Sequence, residues 1–252
     1  AVVICAVAVD PVLRKTGESR LLPRWFESAS GRYASWARTY LETDYAQTLS
    51  PDDVAATEWP MFGSVYFLVT AEDLQKSGQI DASKGKIREA VNSAVRIVAS
   101  PMTAIWVKTK WGDTYLTKEN VFYRMLLIFG LSSYESITGE STYHDMMARQ
   151  RASLASELSS AKLNMLDDYP GECYPNDIVW AVAAIQRAAR QDGTNHNDLV
   201  TSLLAALDGP LNDENGFPAF QVASASGTIL QSSRGCGNSG MLSFVAELDP
   251  HT

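Results

Sequence analysis

The sequence predicts an all-α fold in which helical hairpins form an α/α toroid, in preference to a bundle or a solenoid, with a small C-terminal β-hairpin. Apolar residues recur at helical spacing along most of the 252-residue chain. The connections between these segments are short, which favours hairpins of neighbouring helices, and we find no repeat of about 33–47 residues that would indicate a solenoid. A net charge of −8 provides no basic footprint for phosphates, so nucleic-acid binding is disfavoured.

Roughly eight to ten helices are expected after Pro23, because apolar side chains repeatedly fall on one helical face. Ser50 before Pro51 indicates one helix start, since serine caps helices and proline suits their first turn. Gly139 is expected to end the helix that precedes it. The main predicted elements are helices over residues 24–44, 57–74, 87–98, 120–138, 146–161, 175–190 and 198–207, and hairpin strands at residues 219–223 and 228–231.

The N-terminus is uniformly apolar over residues 1–9, before Asp10 and Pro11. A membrane-spanning helix needs about 20 apolar residues, so this run cannot cross a bilayer alone. It is either the end of a longer hydrophobic segment or a short buried helix or strand. We therefore expect an N-terminal apolar segment near a membrane, residues 1–23, and a single barrel domain, residues 24–252.

The cysteines and histidines leave few options for bridges or metals. The three cysteines are Cys5, Cys173 and Cys236, so a Cys173–Cys236 disulfide and three free thiols are both open interpretations. The three histidines lack ligand spacing to one another or to a cysteine, so no metal site is expected.

The most unusual stretch is residues 167–177, which combines four carboxylates with the thiol of Cys173 and the amide of Asn176. It directly precedes a predicted helix, whose N-terminus favours negative charge and would push a thiol toward thiolate. This pattern indicates either an acid/base and nucleophile cluster or a solvated, capped helix start.

Two further groups of residues are candidates for a site. Glu58 heads an apolar helix with aromatic neighbours, and burial there would raise its pKa, as a general acid requires. Residues 232–240 place three glycines around Cys236, which suits either a cradle of backbone N–H groups or a flexible loop.

Four segments resemble the bacterial family related to linalool dehydratase/isomerase: residues 58–63 (EWPMFG), 119–127 (ENVFYRMLL), 134–139 (YESITG) and 171–177 (GECYPND). Cys173 matches the family's Cys-x-Pro-Asn segment, and Asn120 with Tyr123 matches its Asn-x-x-Tyr motif. The resemblance implies an (α/α)6 barrel and a cofactor-free enzyme that adds or removes water at an allylic terpene alcohol and isomerises it. The family's catalytic histidine falls where this chain has residues 125–127, and no second cysteine follows Cys173 along the next helix.

We therefore expect a cofactor-free lyase, isomerase or hydrolase that acts on a small, largely apolar substrate, in a periplasmic or membrane-associated protein. A non-catalytic subunit or binding module of a membrane assembly, and a carbohydrate-active barrel, are the alternatives. Partners would be the substrate, a membrane or membrane protein at the N-terminal segment, or a second copy of the chain. The candidate catalytic residues are Glu58, Tyr123, Asp168, Glu172, Cys173 and Asp177, and the candidate substrate-binding residues are Tyr66, Asn120, Asn176, Arg234, Cys236 and Asn238.

Overall fold

The computed structural model describes residues 21–248, in which α-helices dominate and one two-stranded antiparallel sheet is present. The helices are α1 (Leu21–Glu42), α2 (Val54–Thr57), α3 (Trp59–Lys76), α4 (Gly85–Ala99), α5 (Ile105–Trp111), α6 (Val121–Thr138), α7 (His144–Ser160), α8 (Pro175–Gln191), α9 (Asn197–Leu207) and α10 (Gly235–Leu248), and the strands are β1 (Gln221–Val222) and β2 (Ile229–Gln231). The all-α class and the small hairpin are thereby confirmed. The apolar run of residues 1–9, including Cys5, lies outside the described residues.

Helix α6 lies at the centre of the fold. Fourteen of its 18 residues are buried, as expected for a helix that is apolar on all sides, and it packs against α3, α4, α7 and α8. Gly130 permits this close packing, because a Cβ atom there would lie 2.9 Å from Val98 on α4 and 3.2 Å from Val65 on α3. The buried Arg124 is paired with Glu157 on α7 at 2.8 Å and with Gln150 at 2.9 Å, so it holds helices together.

Two outer elements complete the arrangement around α8. Helix α10 packs on α8, while α1 packs on α4 at the other side of the fold. Strands β1 and β2 pair Gln221 with Gln231, and the Val222 N–H donates a hydrogen bond of 3.0 Å to the Cys173 carbonyl. The hairpin is therefore fixed to the segment that leads into α8.

Most helix predictions agree with the structure, and three do not. Gly139 ends α6 with φ of +70°, a left-handed conformation that glycine adopts readily. Ser50 does not cap a helix: the chain turns, and Asp53 accepts the Ala56 N–H at 3.1 Å where the short α2 begins. Helix α5 was not expected, and α10 occupies the glycine-rich stretch for which a loop was favoured.

Within residues 21–248, no helix combines the length and the apolar character needed to cross a membrane.

Candidate active site

A cleft of about 280 Å³ opens where the start of α3, helix α5 and the segment before α8 meet. We call it the acid cleft and define it by Glu58, Trp106, Lys110, Tyr169 and Glu172, which line it. Glu58 sits at the N-terminal boundary of α3, where Pro60 in the first turn sets the helix direction. Trp106 and Lys110 come from α5, one turn apart.

Glu58 is partly buried in this cleft and accepts a hydrogen bond from the Tyr169 hydroxyl. Burial raises the pKa of Glu58, and this effect exceeds the opposing effects of the Tyr169 hydrogen bond and the Lys110 charge. The carboxyl group is thus easier to keep protonated than a solvent-exposed glutamate. That property suits a general acid.

Asp177, in the first turn of α8, belongs to the same cluster. Burial and the charge of Glu58 raise the pKa of Asp177 to about 7, although the Asn176 side-chain N–H donates to it at 3.0 Å and favours ionisation. A helix N-terminus also favours a charged carboxylate, so desolvation outweighs the position in the helix. Asp177 therefore changes its charge near neutral pH.

Asp168 is the third carboxyl of the cluster and is 1% exposed. Burial, followed by the charge of Asp177, raises its pKa well above the usual aspartate value. Its Oδ2 accepts the Tyr174 N–H at 3.1 Å, while its Oδ1 has no hydrogen-bond partner among the described residues. Because each charge in such a cluster disfavours the next, Asp168 and Asp177 titrate as a coupled pair, and the charge of Glu58 also acts on Asp177.

Cys173 is fully buried beside this cluster and is not a thiolate. Burial and then the Asp168 charge raise the pKa of Cys173, and its Sγ contacts the Met165 sulfur at 3.8 Å. The expectation that the helix N-terminus would favour a thiolate is therefore wrong, since the surrounding acids and the loss of solvent dominate. Cys173 and the exposed Cys236 are both free thiols, so the alternative of a bridge between them is also wrong.

Tyr66 lies within reach of the Asp177 charge and packs against two aromatic rings. Its ring centroid lies 4.6 Å from that of Phe62 and 6.0 Å from that of Trp180. Burial and the Asp177 charge raise the Tyr66 pKa, so its hydroxyl stays protonated. The space beside Tyr66 and Trp180 measures only about 20 Å³, which is close to the volume that one water needs.

Tyr123 and Asn120 do not line the acid cleft. Tyr123 is buried with its ring 5.7 Å from Trp106 and 5.3 Å from Tyr115. The Asn120 side chain donates to the Tyr115 carbonyl at 3.0 Å, in a left-handed backbone conformation with φ of +39°. Tyr123 therefore packs against Trp106 in the core, and Asn120 is fully buried next to Tyr115. Of the candidate catalytic residues Glu58, Tyr123 and Cys173, only Glu58 lines the acid cleft.

The glycine-rich residues 232–240 also lie away from the acid cleft. Arg234 stacks on the Phe220 ring at 4.0 Å, and Cys236 and Asn238 lie in α10. The glycines allow α10 to approach α8, since a Cβ at Gly240 would lie 2.8 Å from the Asn176 Oδ1. This stretch is a helix-packing surface, and the predicted substrate-binding roles of Arg234, Cys236 and Asn238 have no support from this placement.

Five residues of the cleft lining are not among the predicted site residues: Pro51, Asp52, Trp106, Lys110 and Tyr169. Tyr169 follows Asp168 directly, so its place in the acidic stretch was a usable signal, but its hydrogen bond spans 111 residues of chain. Glu172, which was predicted, lines the cleft and accepts the Tyr174 hydroxyl at 2.6 Å. Among the described residues, no group of three or more His, Cys, Asp or Glu side chains is placed to hold a metal ion.

Comparison with known proteins adds no relative to this description. No model of a known protein family matches the chain, and no curated protein shows significant sequence similarity to it.

Proposed function

We propose that the protein is a cofactor-free lyase, isomerase or hydrolase that uses general acid–base chemistry on a small, largely apolar substrate in the acid cleft. The observation that carries this proposal is the cluster of Glu58, Asp168 and Asp177. All three have raised pKa values, and none forms an ion pair within 4.0 Å among the described residues. Carboxyl groups that stay protonated to a higher pH than usual are the groups that general acid catalysis needs.

The chemistry follows from the positions of the three groups. Glu58, in its protonated form, donates its proton to a substrate oxygen, and the C–O bond breaks with its electron pair leaving on water. An ionised carboxylate of the same cluster then removes a proton from the neighbouring carbon, and those electrons form the double bond. Trp106 and Tyr169 offer apolar ring surface beside Glu58. The charge of Glu58 raises the Asp177 pKa and the charge of Asp177 raises the Asp168 pKa, so these carboxyl groups respond to one another's ionisation.

The finer form of the fold belongs to the same proposal. We infer a closed ring of helical hairpins related to the linalool dehydratase/isomerase family, supported by the packing of α3 on α4, α6 on α7 and α8 on α9. The four sequence segments described above support the family. A periplasmic or membrane-associated location, with a partner at the N-terminal segment, remains part of this proposal.

A carbohydrate-active enzyme is the second candidate, and one observation favours it. Glu58 and Glu172 line the same open cleft next to the Trp106 ring, and glycosidases act with two carboxyl groups flanking the scissile bond. A binding module has less support, because a structural role would favour pairing the buried acids with arginines.

The proposal can be tested by turnover in D₂O with tertiary allylic alcohols and the corresponding dienes, followed by gas chromatography and mass spectrometry. We expect interconversion, with deuterium on carbon in the hydration direction. Glu58→Gln should lower the rate by about 10²–10⁴-fold, because the general acid is lost.

Glu214→Gln, the same change at an exposed glutamate, is the matched control and should retain the wild-type rate. Full activity in Glu58→Gln would contradict the proposal. Cleavage of aryl glycosides that is lost in both Glu58→Gln and Glu172→Gln would favour the carbohydrate enzyme. Absence of turnover with all three substrate classes would favour a binding module.

A further inference from the structure

A second cleft, of about 310 Å³, lies next to the acid cleft along residues 51–60 but has a different lining. We call it the aromatic cleft and define it by Trp36, Tyr40, Tyr45 and Trp59; two alanines and Pro60 complete its lining. Charged side chains do not contribute to this lining. The proposed acid–base function uses none of these four aromatic residues.

The backbone brings the four rings together from three elements. Trp36 and Tyr40 lie one turn apart on α1, with ring centroids 5.3 Å apart. After α1 ends, the left-handed conformation of Asp44, with φ of +48°, turns the chain so that the Tyr45 ring meets Tyr40 edge-on at 6.0 Å. Trp59, at the start of α3, supplies the remaining aromatic wall.

Three of these rings are unusually open to solvent. Trp36 is 42% exposed, Tyr45 is 51% exposed and Trp59 is 64% exposed. Large aromatic side chains grouped at one exposed concave site indicate a binding surface more often than a single exposed aromatic does. Tyr40 is instead 5% exposed, and its hydroxyl has no hydrogen-bond partner among the described residues.

The charge around the aromatic cleft indicates the charge of the ligand that it favours. Residues 42–53, which include Tyr45, carry four acidic side chains and no lysine or arginine, in a chain of net charge −8. The faces of aromatic rings are negative, so they attract cations. Anions are disfavoured at such a cleft, and a sugar would find few polar side chains to bind its hydroxyl groups.

We propose that the aromatic cleft binds a quaternary ammonium group, with the positive charge against the faces of Trp36, Tyr45 and Trp59. An alkylated ammonium carries no N–H and needs no carboxylate acceptor, which agrees with a lining of rings, alanines and proline. This inference is independent of the acid cleft.

The test is a titration of the full chain with choline and tetramethylammonium, followed by tryptophan fluorescence and by NMR line shifts. The neutral comparison is 3,3-dimethylbutan-1-ol, which has the shape of choline without its charge. We expect choline to bind about tenfold more tightly than the neutral alcohol. Equal binding of the two compounds, or no binding of either cation at millimolar concentrations, would overturn the proposal.

Variants locate the binding to this cleft. Trp59→Ala changes a mostly exposed side chain and should weaken choline binding about tenfold, and Trp36→Ala should do the same. Trp25→Ala, on the exposed surface of α1 outside the cleft, is the matched control and should bind as wild type. Wild-type binding by Trp59→Ala would contradict the assignment to this cleft.

Binding to lipid vesicles distinguishes a lipid headgroup from a soluble quaternary ammonium ligand. Sedimentation with phosphatidylcholine vesicles but not with phosphatidylglycerol vesicles, reversed by free choline, would identify a lipid headgroup. Binding of free choline without sedimentation would identify a soluble ligand, and either result supports the proposal. Sedimentation with phosphatidylglycerol alone would show attraction to anionic surface and would contradict it.

Discussion

Helices α3 and α8 both carry buried charged groups, some toward their N-terminal ends and some toward their C-terminal ends. The two ends differ in whether these groups form ion pairs. Toward their C-terminal ends, Arg187 on α8 pairs with Glu72 on α3 at 2.7 Å, with Asp73 at 2.6 Å and with Glu247 of α10 at 2.6 Å. At their N-terminal ends, Glu58 and Asp177 lie close together without an ion-pair partner within 4.0 Å among the described residues. We call these the arginine network and the acid cluster, the latter comprising Glu58, Asp168 and Asp177.

The pKa values show the difference. Burial opposes ionisation of Glu72, but the charges of Arg187 and Lys76 outweigh it and lower the Glu72 pKa. In the acid cluster burial dominates, and the pKa values of Glu58 and Asp177 are raised. A carboxylate held permanently ionised by arginine stabilises a fold but cannot exchange protons at neutral pH. The arginine network therefore stabilises the packing of the helices. The carboxyl groups of the acid cluster can instead gain and lose protons, which acid–base chemistry needs.

The largest expected effect is the loss of the arginine network. Arg187→Met leaves Glu72, which is 1% exposed, without its main partner, so the free energy of unfolding should fall by about 3–5 kcal/mol. Urea denaturation measures this change. Arg190→Met, which removes the more exposed partner of Glu247, is the control and should cost less than about 1 kcal/mol. Similar losses in the two variants would mean that the network is not a structural anchor.

A second, smaller effect on the free energy of unfolding is expected in the acid cluster. There, removing an ionisable group should stabilise the fold, whereas removing Arg187 should destabilise it. Asp177 has a pKa of about 7 when folded and about 3.9 when unfolded, so wild type loses stability as pH rises between these values. Asp177→Asn removes this loss. Relative to wild type, the variant should therefore gain on the order of 1–3 kcal/mol of unfolding free energy between pH 4 and pH 8.

Urea denaturation across this pH range measures the gain, and Asp113→Asn, at an exposed aspartate between α5 and α6, is the matched control. The stability difference between the control and wild type should not change with pH. A difference between Asp177→Asn and wild type that falls as pH rises would show that Asp177 is ionised and stabilising, like the acids of the arginine network.

The smallest effect concerns the hydrogen bond within the acid cleft. The Tyr169 hydroxyl lowers the Glu58 pKa by donating to its carboxylate, so Tyr169→Phe should raise that pKa further. A ¹³C NMR titration of glutamate carboxyl groups measures it. Tyr174→Phe removes a hydroxyl bonded to Glu172 instead and should leave Glu58 unchanged. A lower Glu58 pKa in Tyr169→Phe would contradict the assigned direction.

The sequence predicted those parts of the fold that depend on local pattern. The bounds of α6 and α8 follow from apolar spacing, from Gly139 as a C-terminal stop and from Pro175 as a first-turn residue. Helix α10 was missed because three glycines in nine residues normally favour a loop. Two of those glycines are explained only by close approaches from residues distant along the chain, Gly237 by Phe220 and Gly240 by Asn176 and Trp180.

The site was predicted in part for the same reason. Glu58, Asp168, Glu172 and Asp177 were found because acidic residues near helix starts are visible in the sequence. Whether such an acid is paired or unpaired depends on contacts between remote segments, such as Tyr169 with Glu58. Sequence pattern alone could therefore indicate which carboxyl groups are candidates for the site. It could not show that Glu72 and Asp73 pair with Arg187.

Helices α3 and α8 run in the same direction, and each connects the arginine network to the acid cluster. A movement of either helix at one of these sites therefore displaces its residues at the other site. Helix α3 has 18 residues and is about 27 Å long, so a tilt of about 2° at the arginine end displaces Glu58 by about 1 Å. A displacement of that size can cost about 100-fold in rate. Substitutions around Arg187 would then impair turnover at temperatures where the protein is still folded, and the tolerance of the acid cleft to mutation would be set by residues at the far end of its helices.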